Sequence, residues 1–235
     1  MEKYYKIAGL TVAMDSFGRT VKQAEPYRTD PAEENIQICS DWQTLKQAHP
    51  YLSDEDCEYL CTGSSFYRQL ILYGGMMLHA SAVVVDGKAY LFSADSGTGK
   101  STHTGLWLKL FGDRAYLLND DKPALRQRDG IWYAYGTPWS GKHDISRNTR
   151  AVLGGICFLS RGEKNRISPL SGTKAIFNLL DQTVRPPNAE YRGKILEHLD
   201  GLVTHVPIWQ MECNMDPAAA VMSYEAMSGE KWEEN

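Results

Sequence analysis

The sequence predicts an α/β fold with mixed β-sheets and flanking helices, and three observations predict it. β-rich runs alternate with amphipathic helical segments through the last two thirds of the chain. The runs Leu78–Val85 and Lys88–Ala94 are joined by Asp86-Gly87, a dipeptide suited to a two-residue hairpin turn. A glycine-rich loop, Ala94-Asp95-Ser96-Gly97-Thr98-Gly99-Lys100-Ser101-Thr102, then separates the second strand from the helical run Thr102–Phe111.

The N-terminal stretch to residue 65 reads as a small β-rich unit ending in the start of a helix, and residues 66–235 as the core. Tyr4–Met14 and Asn35–Cys39 are its β-like runs, separated by turn and charge-rich stretches such as Asp30-Pro31-Ala32-Glu33-Glu34. Ser53 followed by Asp54, Glu55 and Asp56 supplies a cap and first-turn acids for a helix reaching about Tyr73, with Gly63 as a point of division. After the loop helix, Gly112 stands at a C-cap position. Short strands follow at Ala115–Leu118, Ala124–Gln127 and Trp132–Tyr135, then an ordered turn-rich loop from Gly136 to Lys142. Ala151–Leu159 reads as a buried strand, Lys174–Leu180 and Ala189–Leu199 as helices, and Pro207–Glu212 as a strand. Asp216-Pro217 opens a last helix, and Gly229–Asn235 reads as a frayed tail.

The composition narrows the function classes. With 235 residues, 43% apolar and 23% charged, the chain has the make-up of one self-folding domain or a core with a smaller addition. A net charge of −4 without any Lys/Arg block argues against a nucleic-acid partner. The N-terminal apolar run is short and lacks a small-residue cleavage site. The longest apolar stretch, Leu70–Val85, is interrupted by Gly74, Gly75 and His79, short of the ~18 uninterrupted residues of a membrane span. A cytoplasmic protein without a membrane partner is expected. The cysteine count is odd, and Cys57 and Cys61, one helical turn apart, lack a second ligand pair for a metal site.

Three constellations carry chemistry. Strand, glycine loop and helix is the order that lets backbone amides converge on a phosphate, with the helix N-terminus and Lys100 adding positive charge and Ser101 placed to ligate magnesium. Ala94 stands where the common signature has glycine, so this position must avoid positive φ. Leu117-Leu118-Asn119-Asp120-Asp121 ends a strand in two carboxylates, which reach one site if the strand ends or bends there. His79, placed on the strand before the loop strand, shares a face with Ser81. The Gly136–Lys142 turn is compact enough to cover the phosphates, with Lys142 as a charge for the transferring group. Arg147, Arg150 and Arg161 are further candidates that the sequence does not rank. Trp107 and Trp139 are read as core side chains rather than base-stacking surfaces.

Together, Leu78-His79-Ala80-Ser81-Ala82, Ser96-Gly97-Thr98-Gly99-Lys100-Ser101-Thr102 and Asn119-Asp120-Asp121 resemble the phosphate-loop core shared by HPr serine kinase/phosphorylases and ATP-dependent phosphoenolpyruvate carboxykinases. The resemblance spans residues 76–142. It implies a nucleotide site at Ser96, Gly97, Thr98, Gly99, Lys100, Ser101 and Thr102, Asp120 as the base, and Asp121 with Ser101 at the metal. It also implies His79 as the site histidine and Lys100 as the phosphate-binding lysine. Thr102 departs from the acidic residue usual in HPr kinases, whose later glycine-rich signature is also missing, so HPr is not the expected substrate. In size the chain is similar to compact HPr-kinase-like proteins of peptide-modification systems.

The expected activity is therefore ATP- and Mg2+-dependent transfer of a phosphoryl group to a hydroxyl, on a protein or peptide Ser/Thr or on a small alcohol. A non-catalytic nucleotide-binding regulator or scaffold is the alternative from another class, and a carboxykinase-like enzyme is a third. Homo-oligomer formation stays open.

Overall fold

The structure, a computed structural model, describes residues 3–233. The chain begins with β1 (Lys3–Ile7) and β2 (Leu10–Met14), an antiparallel hairpin rather than the single run expected over Tyr4–Met14. Ala8 and Gly9 both take positive φ, 50° and 76°, and turn the chain back in two residues. Next come α1 (Gly18–Ala24), β3 (Ile36–Ile38), which pairs in parallel with β2, and α2 (Trp42–Ala48). α1 was expected as turn-rich chain, and the sequence carried no expectation for the segment that forms α2. At seven residues each they fall below the roughly 12 that make an isolated helix even marginally stable, so their neighbours hold them.

α3 (Asp54–Leu70) begins as its sequence predicts, with the Ser53 hydroxyl accepting from the Asp56 amide at 3.0 Å. It runs through Gly63 without a break, and through residue 65. A Cβ on Gly63 would stand 2.9 Å from Trp139 Cδ1, so the glycine admits an indole rather than ending the helix. A 3-10 turn over Ile71–Tyr73 leads into the main sheet.

That sheet is built from β4 (Gly75–Met77), β5 (Ala80–Val85) and β6 (Lys88–Ser93), then, after α4 (Lys100–Phe111), from β7 (Ala115–Asn119), β8 (Ala124–Arg128), β9 (Ile131–Tyr135), β10 (Arg150–Arg161) and β11 (Arg166–Pro169). After α5 (Gly172–Asp181) and α6 (Ala189–His205), β12 (Ile208–Cys213) completes it, and α7 (Ala218–Ser228) follows. Among the described residues it has nine strands, in the order β4-β8-β9-β10-β6-β5-β7, with β12 and β11 added beside β10. β10 is long enough to pair antiparallel with β9 through its first residues and parallel with β12 through its last, while β6 lies parallel on its other edge. The protein is thus mixed α/β with mixed sheets. β4 and β11, three and four residues long, carry too few residues for a period to show in the sequence.

Alternation along the central strands divides the core. Ala82, Val84, Leu91, Ile156 and Phe158 join α5 and α6 on one face, whereas Val83, Val85, Phe92, Cys157 and Leu159 join α4 and α7 on the other. Both faces are covered, which is why these strands read as continuous apolar runs. A third cluster links β1–β3 and α3 to Ala124, Tyr135 and Trp139 of the main sheet and its following loop. The tail is anchored where fraying was expected: Trp232 packs edge-on against Phe111 at 5.1 Å, and its amide donates to Glu225. Glu234 and Asn235, the end of the tail so read, lie outside the described residues. No helix among the described residues is long and apolar enough to cross a membrane.

Candidate functional site

The glycine loop sits between β6 and α4, as the sequence order requires. Gly97 and Gly99 take φ of 78° and 121°, and a Cβ at either would meet nothing within 4 Å, so conformation and not crowding demands glycine there. Ala94 stays out of the positive-φ region, as expected. The Thr98 amide donates to Asp95 O at 3.2 Å and closes the turn. Gly99 occupies the N-cap of α4 and brings no capping side chain, so the first amides of the helix open onto the loop. Lys100 is buried, and its ammonium curls back to Ala94 O at 2.7 Å and Asp95 O at 3.4 Å. Burial lowers its pKa, against the opposing pull of Asp121, Asp95 and Asp120.

The end of β10 adds a brace. Arg161 donates from Nη2 to Gly97 O at 2.5 Å and from Nε to Thr98 O at 3.4 Å. In a planar trans peptide the carbonyl and the following N–H point in opposite directions. Holding these carbonyls therefore turns the next amides, those of Thr98 and Gly99, away from the guanidinium. Of the three arginines the sequence left unranked, Arg161 alone is bonded to the loop. Arg147 and Arg150 lie over the rings of Tyr116 and Tyr133, each at 4.5 Å.

The carboxylates arrive on a bend. Asn119 ends β7, and its Oδ1 accepts from the amides of Asp121 at 3.0 Å and Lys122 at 2.7 Å, a side-chain turn that swings both aspartates to one cleft. Asp120 is buried and accepts from Ser81 Oγ at 2.6 Å and from Ser101 Oγ at 3.1 Å on each oxygen. The Ser101 hydroxyl, expected with Asp121 at the metal, here bonds Asp120. The first turn of α4 sits beside β5 and the end of β7, so the Ser101 hydroxyl and Ser81 meet the inner carboxylate and not the outer one.

Asp121 faces His79 Nε2 at 3.2 Å and is bonded by the Lys122 ammonium. Burial pushes its carboxyl up, but the His79 hydrogen bond and the Lys122 charge outweigh this and bring it down to about 2. His79 precedes β5 instead of lying on it, because its amide pairs with Gln182 O at 2.8 Å outside the ladder. Its Nδ1 lies 3.1 Å from Gln182 Oε1, which fixes the ring from the side away from Asp121.

The Gly136–Lys142 segment is the ordered loop expected, tied down by the N-terminal unit. Trp139 is buried, stacks on Phe66 at 4.9 Å and donates to Thr62 Oγ1 at 3.2 Å. Trp107 is likewise buried, which places both indoles in the core. The Gly141 amide donates to Tyr59 Oη at 3.1 Å, while Arg19 bonds Gly141 O and lies over the Tyr59 ring at 4.0 Å. Lys142 is exposed at the lip of the resulting cleft, which measures about 670 Å³ and is lined by the glycine loop, both aspartates, His79, Lys122 and Arg19.

A model of the family described as SynChlorMet cassette protein ScmC matches residues 53–219. The chain belongs to the ScmC family. The match takes in the glycine loop, both aspartates, His79 and the Gly136–Lys142 segment, and begins at the cap of α3. Among solved structures, the HPr(Ser) kinase/phosphatase from Coxiella burnetii is similar over 64% of this chain and 96% of that one, with a TM-score of 0.39 and 16% identity. No curated protein matches.

In this ScmC-family chain the sequence reading missed Arg19, Tyr59 and Gln182. No local signal marks them: Arg19 reaches the cleft from α1, and Gln182, the residue after α5, reaches His79 behind it, contacts that only the tertiary fold makes. The donors around Ser101 and Asp120 are all oxygens, the set a hard divalent cation takes, and magnesium is commonly held by one or two carboxylates together with substrate phosphates. These residues fit such an ion.

Proposed function

We propose that this ScmC-family protein is a kinase that binds ATP with Mg2+ at the glycine loop and transfers the γ-phosphoryl group to a hydroxyl of a protein, peptide or small alcohol. The observation that carries the reading is the Ser101–Asp120 contact at the start of α4, beside Lys100 and open to the same cleft as the Asp121–His79 pair. A pure binding protein has use for the first group and none for the second.

In this reading Ser96 to Thr102 cradle the phosphates, with the α4 amides as donors and Lys100 exchanging its loop carbonyls for phosphate oxygens. Ser101 and Asp120 would hold the metal. Magnesium, when bound, supplies charge that neutralises the phosphate oxygens as the β–γ bridge breaks. Asp121 is ionised at neutral pH, sits at the cleft side of the pair, and takes the proton of the attacking hydroxyl. The new P–O bond forms on the acceptor oxygen, the bond to the β-phosphate oxygen breaks, and ADP leaves. His79, fixed by Gln182, orients Asp121. This reverses the roles the sequence suggests for the two aspartates, because Ser101 stands on Asp120. Lys142, at the lip, is placed to meet the transferring group.

The test is incubation of the protein with terminal-phosphate-labelled ATP and an extract of its source cells. Label should move to a discrete acceptor with the unmodified protein and not with Lys100→Ala. Labelling that Lys100→Ala matches would refute the kinase reading.

A further inference from the structure

Part of the wall of the Asp121 cleft comes from α3, a helix with one exposed seam. Cys57, Phe66 and Tyr67 bury its inner side. Asp56, Leu60, Ser64 and Arg68 recur at every fourth position and are all at least partly exposed, so they stand in a row along its outer surface. Asp56 and Leu60 line the Asp121 cleft. A second cavity, of about 710 Å³, meets the first on this seam: Leu60 lines both, and Ser64 and Arg68 continue along the second. α2, through Leu45, and the start of α6, through Tyr191, complete its walls.

The length of the seam bears on the acceptor. From Asp56 to Arg68 the helix rises about 18 Å, at roughly 1.5 Å per residue, which is the reach of about five or six residues of extended chain. A small alcohol occupies the first cavity and leaves the second empty. The second cavity has its own chemistry. Leu45, Leu60 and Tyr191 offer apolar surface, with Leu60 44% exposed at the junction. Arg68 is exposed and makes no ion pair among the described residues. Asp41, in the same wall, is used instead at the N-cap of α2, where it accepts from the Thr44 amide at 3.4 Å. A guanidinium without a partner beside apolar surface suits a ligand that brings a carboxylate next to an apolar side chain.

We infer that this seam is the docking groove of a polypeptide acceptor, whose hydroxyl meets Asp121, whose next apolar residue lies on Leu60, and whose acidic side chain pairs with Arg68. The inference rests on the kinase reading above and deepens it, by choosing a peptide segment over a small alcohol. The two cavities join at Leu60, so one chain can lie in both. From Leu60 to Arg68 the helix rises about 12 Å, which sets the acid about three or four residues from the apolar side chain.

The probe is a library of random synthetic peptides, each with one serine, passed over the immobilised unmodified protein and over Arg68→Glu, a change at an exposed position outside the core. The unmodified protein should retain peptides with Asp or Glu about three or four positions from a large apolar residue, and Arg68→Glu should exchange that preference for Lys or Arg. A retained acidic peptide carrying a fluorescent label should bind Arg68→Glu about fivefold more weakly or worse, the scale of one partly exposed ion pair. With terminal-phosphate-labelled ATP, the unmodified protein should label retained peptides in preference to free serine. No retention, or a preference that Arg68→Glu leaves unchanged, overturns the groove whatever becomes of ATP. Free serine labelled as readily as the retained peptides overturns the groove as an acceptor site while the kinase reading stands. Retention of the motif with no label on any acceptor overturns the acceptor role together with the kinase reading. A dimer of the unmodified protein that Arg68→Glu dissolves, with no peptide retained, gives the groove to a second copy of the chain and overturns the inference.

Discussion

Glu58 should make the protein less stable as the pH rises through neutrality. It lies on α3, 1% exposed, with Oε2 bonded by the Thr20 hydroxyl and Oε1 without a hydrogen-bond partner. Burial raises its pKa to about 7, outweighing the Thr20 and Phe17 hydrogen bonds that favour the carboxylate. An acid whose pKa is raised on folding contributes fully below its unfolded value near 4.5 and loses that contribution as the pH climbs through the folded value. For a single such group the loss between pH 5 and pH 8 comes to roughly 2–3 kcal/mol, at about 1.4 kcal/mol per pH unit. Glu58→Gln has no charge to bury and should lack this slope, whatever its offset at one pH. Urea unfolding of both proteins at pH 5 and pH 8 measures it: the stability difference between variant and unmodified protein should move by 2–3 kcal/mol in favour of the variant. A difference that stays the same at both pH values would mean that Glu58 is not buried as a charge-averse group. The residue matters to the cleft because Thr20 and Arg19 share α1, and Arg19 holds Gly141 O.

Three further outcomes follow from contacts already described. Gly63→Ala would force a methyl against the Trp139 indole and should cost about 1–3 kcal/mol in denaturant unfolding, whereas the same change at Gly193, an open helical position, should not destabilise. Arg161→Gln should raise the KM for ATP roughly tenfold or more with a smaller change in kcat, because it loosens the loop and not the acceptor side. Arg126 is buried and donates to Ala8 O at 2.6 Å and Tyr73 O at 2.8 Å. Arg126→Ala should therefore lower stability by about 2 kcal/mol or more and raise amide exchange in the β1–β2 hairpin first.

Local chemistry was legible wherever adjacent residues decide the structure. Asp86-Gly87 took the positive φ values of 48° and 81° that its hairpin needs, and Ser53 capped α3. Strands buried on both faces announced themselves as apolar runs. What depends on distant partners was not legible. Ala8-Gly9 turned within an apolar run that reads as one strand, and α1 and α2 are helical only because α3 and its neighbours hold them. The candidate site divided in the same way. The loop and the Asp pair are contiguous motifs, and the Asn119 side-chain turn confirmed that the strand bends there. Which aspartate stands on Ser101 was decided by the approach of α4 to β5 and β7, and the contacts of Arg19 and Gln182 are products of tertiary structure.

The most direct test of the account is calorimetric titration of Mg-ATP into the unmodified protein, Asp120→Asn and Asp121→Asn. The unmodified protein should bind, with heat lost or affinity weakened by tenfold or more in Asp120→Asn, which removes the proposed metal partner of Ser101. Asp121→Asn should bind nearly as the unmodified protein does, since its carboxylate acts on the acceptor. Absence of binding by the unmodified protein across millimolar Mg-ATP would contradict the nucleotide site itself, and loss of binding in Asp121→Asn with retention in Asp120→Asn would contradict the assignment of the two carboxylates.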